Sequence, residues 1–363
     1  MRILLLSAYD AASHRQWREG LVTNLPHHHW TVLTLPDRSF SWRIRGNALS
    51  WVAEQQDILQ QQFDLIIATS MVDLATLKGL QPNLATIPTL LYFHENQFAY
   101  PKSGHAHSSI EAQITSIYSA MAADRLLFNS TYNRETFLQG AKSLLKKMPD
   151  HAPLPVITAL EDKCSELPVP VDDICFRQNE VKSDKPVTLV WNHRWEYDKG
   201  PDRLYLVLTE LACRGVDFRL HLLGQRFRRW PEVFDQIKKE FKAQVLSWGY
   251  IADRHDYLQV LQQSDIVFST ALHDFQGLAM QEAIACGCKP VAPSRLAYPE
   301  YIPANHLTTS SLENPEQEAA AMAEKIIELQ TMAKQIDITQ RSWASLAQLY
   351  ETQLLAAASP EAA

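Results

Sequence analysis

Residues 273–289, His-Asp-Phe-Gln-Gly-Leu-Ala-Met-Gln-Glu-Ala-Ile-Ala-Cys-Gly-Cys-Lys, set two acids, Asp274 and Glu282, around a glycine at the start of a helical run. Ahead of them, Gln262–Thr270 reads as a polar helix end passing into a short apolar strand. The acid-glycine turn therefore falls at a strand's carboxyl end, where open α/β sheets bind ligands. Gly277 allows close backbone approach, and a helix from Leu278 to about Ala285 aims free N–H groups and a positive dipole end at that position. A diphosphate fits such a place.

A second run, Trp191-Asn192-His193-Arg194-Trp195-Glu196-Tyr197-Asp198-Lys199-Gly200, follows the apolar stretch Val187–Val190. Arg194 and Lys199 thus also sit just past a strand, where two fixed cations could hold a departing pyrophosphate. In the first half, Tyr92-Phe93-His94-Glu95-Asn96-Gln97 ends a third apolar strand on a row of polar side chains. Burying His94, Glu95, Asn96 and Gln97 is costly without partners, so either a ligand or a hydrogen-bonded turn must account for them. A similar loop after the first strand, Ser13-His14-Arg15-Gln16-Trp17, offers His14 and Arg15.

The elements that must position these groups come from an α/β alternation. At 363 residues the chain exceeds one ordinary core and suggests two domains. Apolar runs alternate with helical stretches from Ile3 to Asn129, the signature of a parallel doubly wound sheet. The pattern lapses between Met148 and Pro186 and resumes from Val187. The expected organisation is an N-terminal Rossmann-like domain over 1–170, a linker over 171–186, a second such domain over 187–335 and a last helix over 336–363. Strand ends of the two halves would meet at a cleft.

Composition narrows the class. A hydrophobic fraction of 46% with 21% charged residues and no long apolar run fits a globular chain that spans no bilayer. Met1–Ala8 reads as a buried first strand and not as a secretory signal, and five cysteines with no Cys-x-x-Cys pair argue for reduced thiols; a cytoplasmic location is expected. The net charge of −7 gives no general pull toward nucleic acid, so an RNA partner would need a local basic face. Arg38-Ser39-Phe40-Ser41-Trp42-Arg43-Ile44-Arg45, read as a loop, interleaves arginines with aromatics, and Arg226-Phe227-Arg228-Arg229-Trp230 does the same. The run His27-His28-His29 reads as a solvated turn and not as a metal site.

The order strand, Arg194, Lys199-Gly200, then about seventy-five residues to Asp274 resembles the second domain of retaining glycosyltransferases of the GT-B fold. His94-Glu95-Asn96-Gln97-Phe98-Ala99-Tyr100-Pro101, Phe128–Arg134, Asn192–Lys199 and Tyr298-Pro299-Glu300 narrow this to the glycosyltransferase-like domain-containing protein family. That resemblance implies an α/β GT-B fold, two Rossmann-like domains facing a central cleft, and a last helix returning to the first domain. It implies a retaining hexosyltransferase that moves mannose from GDP-mannose to queuosine in a tRNA anticodon. Its partners would be a nucleotide sugar and tRNA, with no obligatory membrane.

The family's residue roles carry over as follows. Arg194 and Lys199 match the cations on the donor diphosphate, and Glu282 matches the acid on the nucleotide ribose. Asp274 matches the acid at the donor sugar hydroxyls, while Gln276, Gly277 and Leu278 bring backbone N–H groups to phosphate. His94 matches the histidine that approaches the sugar. On the acceptor side stand His14, Arg15, Glu95, Asn96 and Gln97, with Arg43 and Arg45 for RNA. The wider family has Glu at the first acid position where this chain has Asp274, one bond length shorter. No metal or other cofactor is implied, and no Asp-x-Asp pair is present.

Two other functions compete on sequence grounds. A peripheral membrane glycosyltransferase acting on a lipid-linked or envelope glycan would use Phe137–Met148, where Phe137, Ala141, Leu144, Leu145 and Met148 fall at helical spacing beside Lys142, Lys146 and Lys147. The same pattern suits a helix packed on the first sheet. A non-catalytic nucleotide-sugar or tRNA-binding protein would keep the fold with a decayed Asp274 site.

Overall fold

The structure, a computed structural model, describes residues 1–100, 110–150, 152–176, 186–226, 230–331 and 336–359. Pro101, most of the expected linker, Phe227, Arg228, Arg229 and Met332 lie outside the described residues. The chain divides into two compact units, residues 1–170 with 343–363 and residues 171–342.

In the first unit, six strands pair in parallel: β1 (Arg2–Ser7), β2 (His29–Thr34), β3 (Leu65–Thr69), β4 (Thr89–Phe93), β5 (Arg125–Phe128) and β6 (Cys164–Glu166). Their order is β2-β1-β3-β4-β5-β6. Every residue of β3 and β4 is buried, which explains their unbroken apolar runs: helices cover both faces of a central parallel strand. The chain turns from one side of β1 to the other between β2 and β3. The carboxyl ends of β1 and β3 are therefore this sheet's switch point.

The helix Thr131–Leu145 starts where the Ser130 hydroxyl accepts the Asn133 N–H at 3.0 Å. Phe137, Ala141 and Leu145 are buried in the core, and Phe137 packs against Phe93 and Phe128 with ring centroids 4.8 and 5.6 Å away. Three of the five apolar positions offered for a membrane surface are thus spent inside the unit, with Leu144 and Met148 half-buried.

The last helix, Trp343–Ala358, belongs to the first unit. Its Tyr350 hydroxyl accepts the Trp17 indole N–H at 2.9 Å, donates to the Pro168 carbonyl at 3.0 Å and lies 3.2 Å from the Tyr92 hydroxyl. Glu351 on the same helix meets His27 and His28 at 3.1 and 2.9 Å. His28 is buried and not part of a solvated turn, because the returning helix closes over it. No helix among the described residues is long and apolar enough to cross a membrane.

The second unit repeats the plan with β7 (Val187–Asn192), β8 (Phe218–Leu223), β9 (Val245–Gly249), β10 (Ile266–Phe268), β11 (Lys289–Pro293) and β12 (Leu307–Thr308). All pair in parallel in the order β12-β11-β10-β7-β8-β9, with the switch point between β7 and β10. Apolar cores fill both faces. Residues 171–176, read from the sequence as linker, contribute Val171 and Cys175 to one of them, and the Val171 N–H donates to the Arg341 carbonyl at 2.8 Å.

Candidate active site

The two motifs that opened the sequence reading leave the two strands that flank the second unit's switch point, β7 and β10. Open α/β sheets leave a crevice there because helices depart to opposite faces. Lys199 sits in a single 3-10 turn, Tyr197–Lys199, and its chain is buried. Its ammonium donates to the His273 carbonyl at 2.6 Å and stands 3.3 Å from the Asp198 carboxylate and 3.8 Å from that of Asp274. The Leu272 and His273 N–H groups donate to the Asp198 carbonyl at 2.8 and 3.1 Å. The two loops are thereby laced into one rigid mount around a single cation.

Electrostatics follow from burial. Burial alone would push the Asp274 carboxyl up, but Lys199, His193 and the Gly277 N–H reverse this and hold it below its ordinary value. His193 and His273 are held down to about 4, by burial first and the Lys199 ammonium second. At neutral pH the mount therefore carries the Asp274 carboxylate together with two neutral imidazoles.

Asp274 also has a local role. Its Oδ1 accepts the Gly277 N–H at 2.9 Å, closing the turn that starts the helix Leu278–Ala285. The reach is a short one of three residues that closes the turn just ahead of the helix, whose cap position is Gly277 itself. Gly277 has φ +73°, and a Cβ there would overlap the Tyr301 hydroxyl and lie 3.0 Å from the Tyr298 ring. Only glycine fits, and the first N–H groups of the helix, from Leu278 on, lack intrahelical partners as at any helix start. Gln276 is buried, and its carbonyl accepts the Gln281 amide at 2.9 Å.

Glu282 lies one turn along the helix, buried, accepting from Arg254 at 2.7 Å and from the Tyr257 hydroxyl at 3.2 Å. Asn192, the last residue of β7, donates to the Tyr257 hydroxyl at 3.1 Å and to the Ala279 carbonyl at 2.8 Å. Arg194 differs from Lys199: its side chain is half exposed and pairs with Glu196 at 3.1 Å. It is a half-exposed cation, whereas Lys199 is a buried one.

In the first unit, His94 and Glu95 follow β4, and His14 follows β1. The His14 and His94 rings stack with centroids 4.0 Å apart, and His94 meets Trp17 and Tyr92 at 4.8 and 4.7 Å. His14 Nε2 donates to Glu95 Oε2 at 2.9 Å, and the Ser70 hydroxyl donates to Glu95 Oε1 at 3.2 Å. Glu95 thus bridges the segments after β1, β3 and β4. His94 Nε2 is buried without a hydrogen-bond partner among the described residues, and burial holds its pKa well below the ordinary imidazole value, with His14 adding to the effect.

Several sequence expectations need correction. His14 and Arg15 are not in a loop but in the first turns of the helix Ala12–Asn24, and Arg15 turns to Asp10 at 3.4 Å. Asn96 is taken up by folding: its amide donates to Asn133 and Thr136, and its oxygen accepts the Phe98 and Ala99 N–H groups. Gln97 points its amide at the Met71 sulfur, 3.8 Å away. Arg38–Arg45 is not one loop, because a helix begins at Phe40; Arg43 is buried and Arg45 pairs with Asp73 and Glu111. Ser70, Asp198, Arg254 and Tyr257 escaped the sequence reading. Asp198 stands beside Lys199 in the run Trp191–Gly200, whereas Ser70, Arg254 and Tyr257 are far in sequence from their partners Glu95 and Glu282 and are brought in by the fold.

A further buried cluster supports the second mount. Glu318 accepts both arms of Arg295 at 2.6 and 3.0 Å and pairs with Arg203 at 3.0 Å, while Arg295 also donates to the Ala271 carbonyl at 3.0 Å.

Residues 2–171 match the family model described as tRNA-queuosine alpha-mannosyltransferase N-terminal, and residues 172–343 match Glycosyl transferases group 1. The tRNA-queuosine alpha-mannosyltransferase of Drosophila melanogaster is 36% identical over 318 residues, covering 85% of this chain and 84% of the relative. A GDP-mannose-dependent alpha-(1-6)-phosphatidylinositol dimannoside mannosyltransferase of Mycobacterium tuberculosis is 32% identical over 122 residues, 33% of this chain and 30% of that protein. Among solved structures, a glycosyltransferase from Rickettsia africae superposes with a TM-score of 0.65 at 16% identity, covering 97% of this chain and 94% of the other. A sucrose-phosphate synthase from Thermosynechococcus elongatus gives 0.67 at 14% identity, covering 98% and 100%. The fold is the two-domain α/β GT-B fold.

Proposed function

We infer the activity from one premise: this chain belongs to the tRNA-queuosine alpha-mannosyltransferase family. It is a retaining hexosyltransferase that moves mannose from GDP-mannose to a queuosine hydroxyl in a tRNA anticodon. The observation that carries the chemistry is the Lys199–Asp274 pair, mounted where β7 and β10 diverge. A preorganised cation with its own counter-charge close by costs no reorganisation when a diphosphate begins to leave.

In this reading Lys199 and Arg194 neutralise the charge that grows on the leaving diphosphate, with helix N–H groups around Gly277 and Leu278 assisting. Glu282 holds the nucleotide ribose, its carboxylate oriented by Arg254 and Tyr257. Asp274 receives sugar hydroxyls. The bond from the sugar's anomeric carbon to phosphate oxygen breaks, the acceptor oxygen bonds to the same face of that carbon, and its proton leaves with the diphosphate. No covalent sugar-enzyme intermediate forms. His94, neutral at working pH, contributes a hydrogen-bonding nitrogen on the first unit, steadied by His14 and Glu95. Protein cations fill the place of a metal in this scheme.

The test is incubation of purified protein with GDP-mannose and queuosine-containing tRNA, followed by mass spectrometry of the digested nucleosides. A queuosine heavier by one hexose is expected. Turnover of another sugar nucleotide with no gain on queuosine would keep the transfer chemistry and remove the acceptor.

A further inference from the structure

The helix Phe40–Glu54 follows β2, so its first turns stand on the carboxyl-terminal rim of the first sheet, the rim that also carries His14 and Glu95. Trp42 on this helix is 57% exposed. Its ring lies flat against its own helix at Gly46, one turn on, where a Cβ would overlap the indole. Glycine is the least favoured helix-interior residue after proline, and a large exposed indole contributes little to a core. A chain that carries both holds a π face outward in a fixed orientation.

The setting is charged and anchored. Phe40 packs edge-on to Tyr9, just past β1, with ring centroids 6.4 Å apart. Arg45, three residues after Trp42 on the helix, is 43% exposed and held by Asp73, just past β3, and by Glu111. Arg38 is exposed one turn before the helix. An aromatic face flanked by arginines fits a stacked nucleobase with neighbouring phosphates, since every base has a π face and every nucleotide an anionic link.

We propose that Trp42, laid flat on Gly46, is a stacking platform for an unpaired nucleobase of the RNA acceptor, with Arg38 beside it on the phosphate backbone. This rests on the RNA-acceptor reading above and assigns it a surface. Of the arginines expected from the sequence to hold RNA, Arg43 is buried and Arg45 ties the helix that presents the indole to Asp73 and Glu111.

Equilibrium binding of queuosine-containing tRNA is measured by filter retention for the intact protein and for Trp42→Ala, Trp42→Phe, Gly46→Ala and Arg38→Ala, with GDP affinity measured alongside. Trp42→Ala weakens tRNA about 5- to 150-fold with GDP affinity unchanged. Trp42→Phe recovers most of the affinity, and Gly46→Ala, which lifts the ring, moves toward Trp42→Ala. Arg38→Ala lowers the salt dependence of binding by about one phosphate contact. Unchanged tRNA affinity in Trp42→Ala, while the parent protein transfers mannose to queuosine, overturns the platform and leaves the activity standing. Loss of binding to anionic phosphatidylglycerol vesicles with tRNA affinity intact overturns it in favour of a membrane contact. A parent protein that neither binds tRNA nor modifies queuosine overturns both readings.

Discussion

The two units solve the same geometric problem with opposite chemistry. Each places its polar groups at the carboxyl ends of parallel strands around a switch point. In the second unit the result is ionic: Lys199 faces Asp274 and Asp198, and Arg295, Glu318 and Arg203 form a buried triad behind the loop. In the first unit the centre is aromatic, with ion pairs only around it: His94 stacks on His14 and touches Trp17 and Tyr92, Glu95 is the central acid, and Arg15–Asp10 and Arg45–Asp73 stand at the rim. A leaving diphosphate demands fixed positive charge, whereas an uncharged hydroxyl needs only oriented hydrogen-bonding groups. The proposed mechanism accordingly places the donor on the second unit.

The sharpest break would come from Lys199. Lys199→Ala strands the Asp274 carboxylate and removes the cation nearest the leaving group, so kcat falls about 10²- to 10³-fold. Steady-state kinetics checks this, and a loss of only twofold would move the leaving-group role to Arg194. Next in size, Glu282→Ala weakens GDP binding about 10- to 100-fold, as expected for a charge-assisted hydrogen bond. Calorimetric titration reads it, and unchanged affinity would return Glu282 to a purely structural partner of Arg254.

Acid acts on the buried imidazoles without any substitution, on His193 and His273 in the second unit and in the same direction on His94 in the first. An unfolded chain protonates His193 and His273 near 6.5, whereas the fold keeps them neutral down to about 4. Between those pH values the unfolded chain binds protons that the folded one refuses, so stability falls as pH falls. The slope reaches about 1.4 kcal/mol per pH unit for each site. Urea unfolding from pH 7 to 4 measures it; a flat profile would mean that both imidazoles protonate freely in the fold.

The smallest effect belongs to the aromatic side. Tyr350→Phe leaves the buried Trp17 N–H without its acceptor and costs about 1 kcal/mol of stability. Differential scanning calorimetry detects this as a lowered Tm, with GDP affinity in the second unit unchanged. A shift in GDP affinity would contradict the separation of the two mounts.

What the sequence determined by itself is local. Periodicity showed the α/β alternation, since buried parallel strands must be continuous apolar runs and their helices amphipathic. The turn at Asp274-Phe275-Gln276-Gly277 was legible because acid, glycine and helix start at Leu278 lie within five residues. Arg194 and Lys199 were legible for the same reason, as was His94 at the end of β4.

Tertiary structure decided everything that depends on neighbours far along the chain. Lys199 meets Asp274 across 75 positions only because β7 lies beside β10. Ser70 reaches Glu95, and Arg254 reaches Glu282, through sheet order and helix placement that no short pattern encodes. Arginines in an aromatic-rich run look alike in sequence, yet Arg43 is buried, Arg45 is paired and Trp42 is left open. Burial is set by which face of the helix meets the sheet, and the same packing that hides Asn96 and His28 sets the charge states on which the proposed chemistry depends.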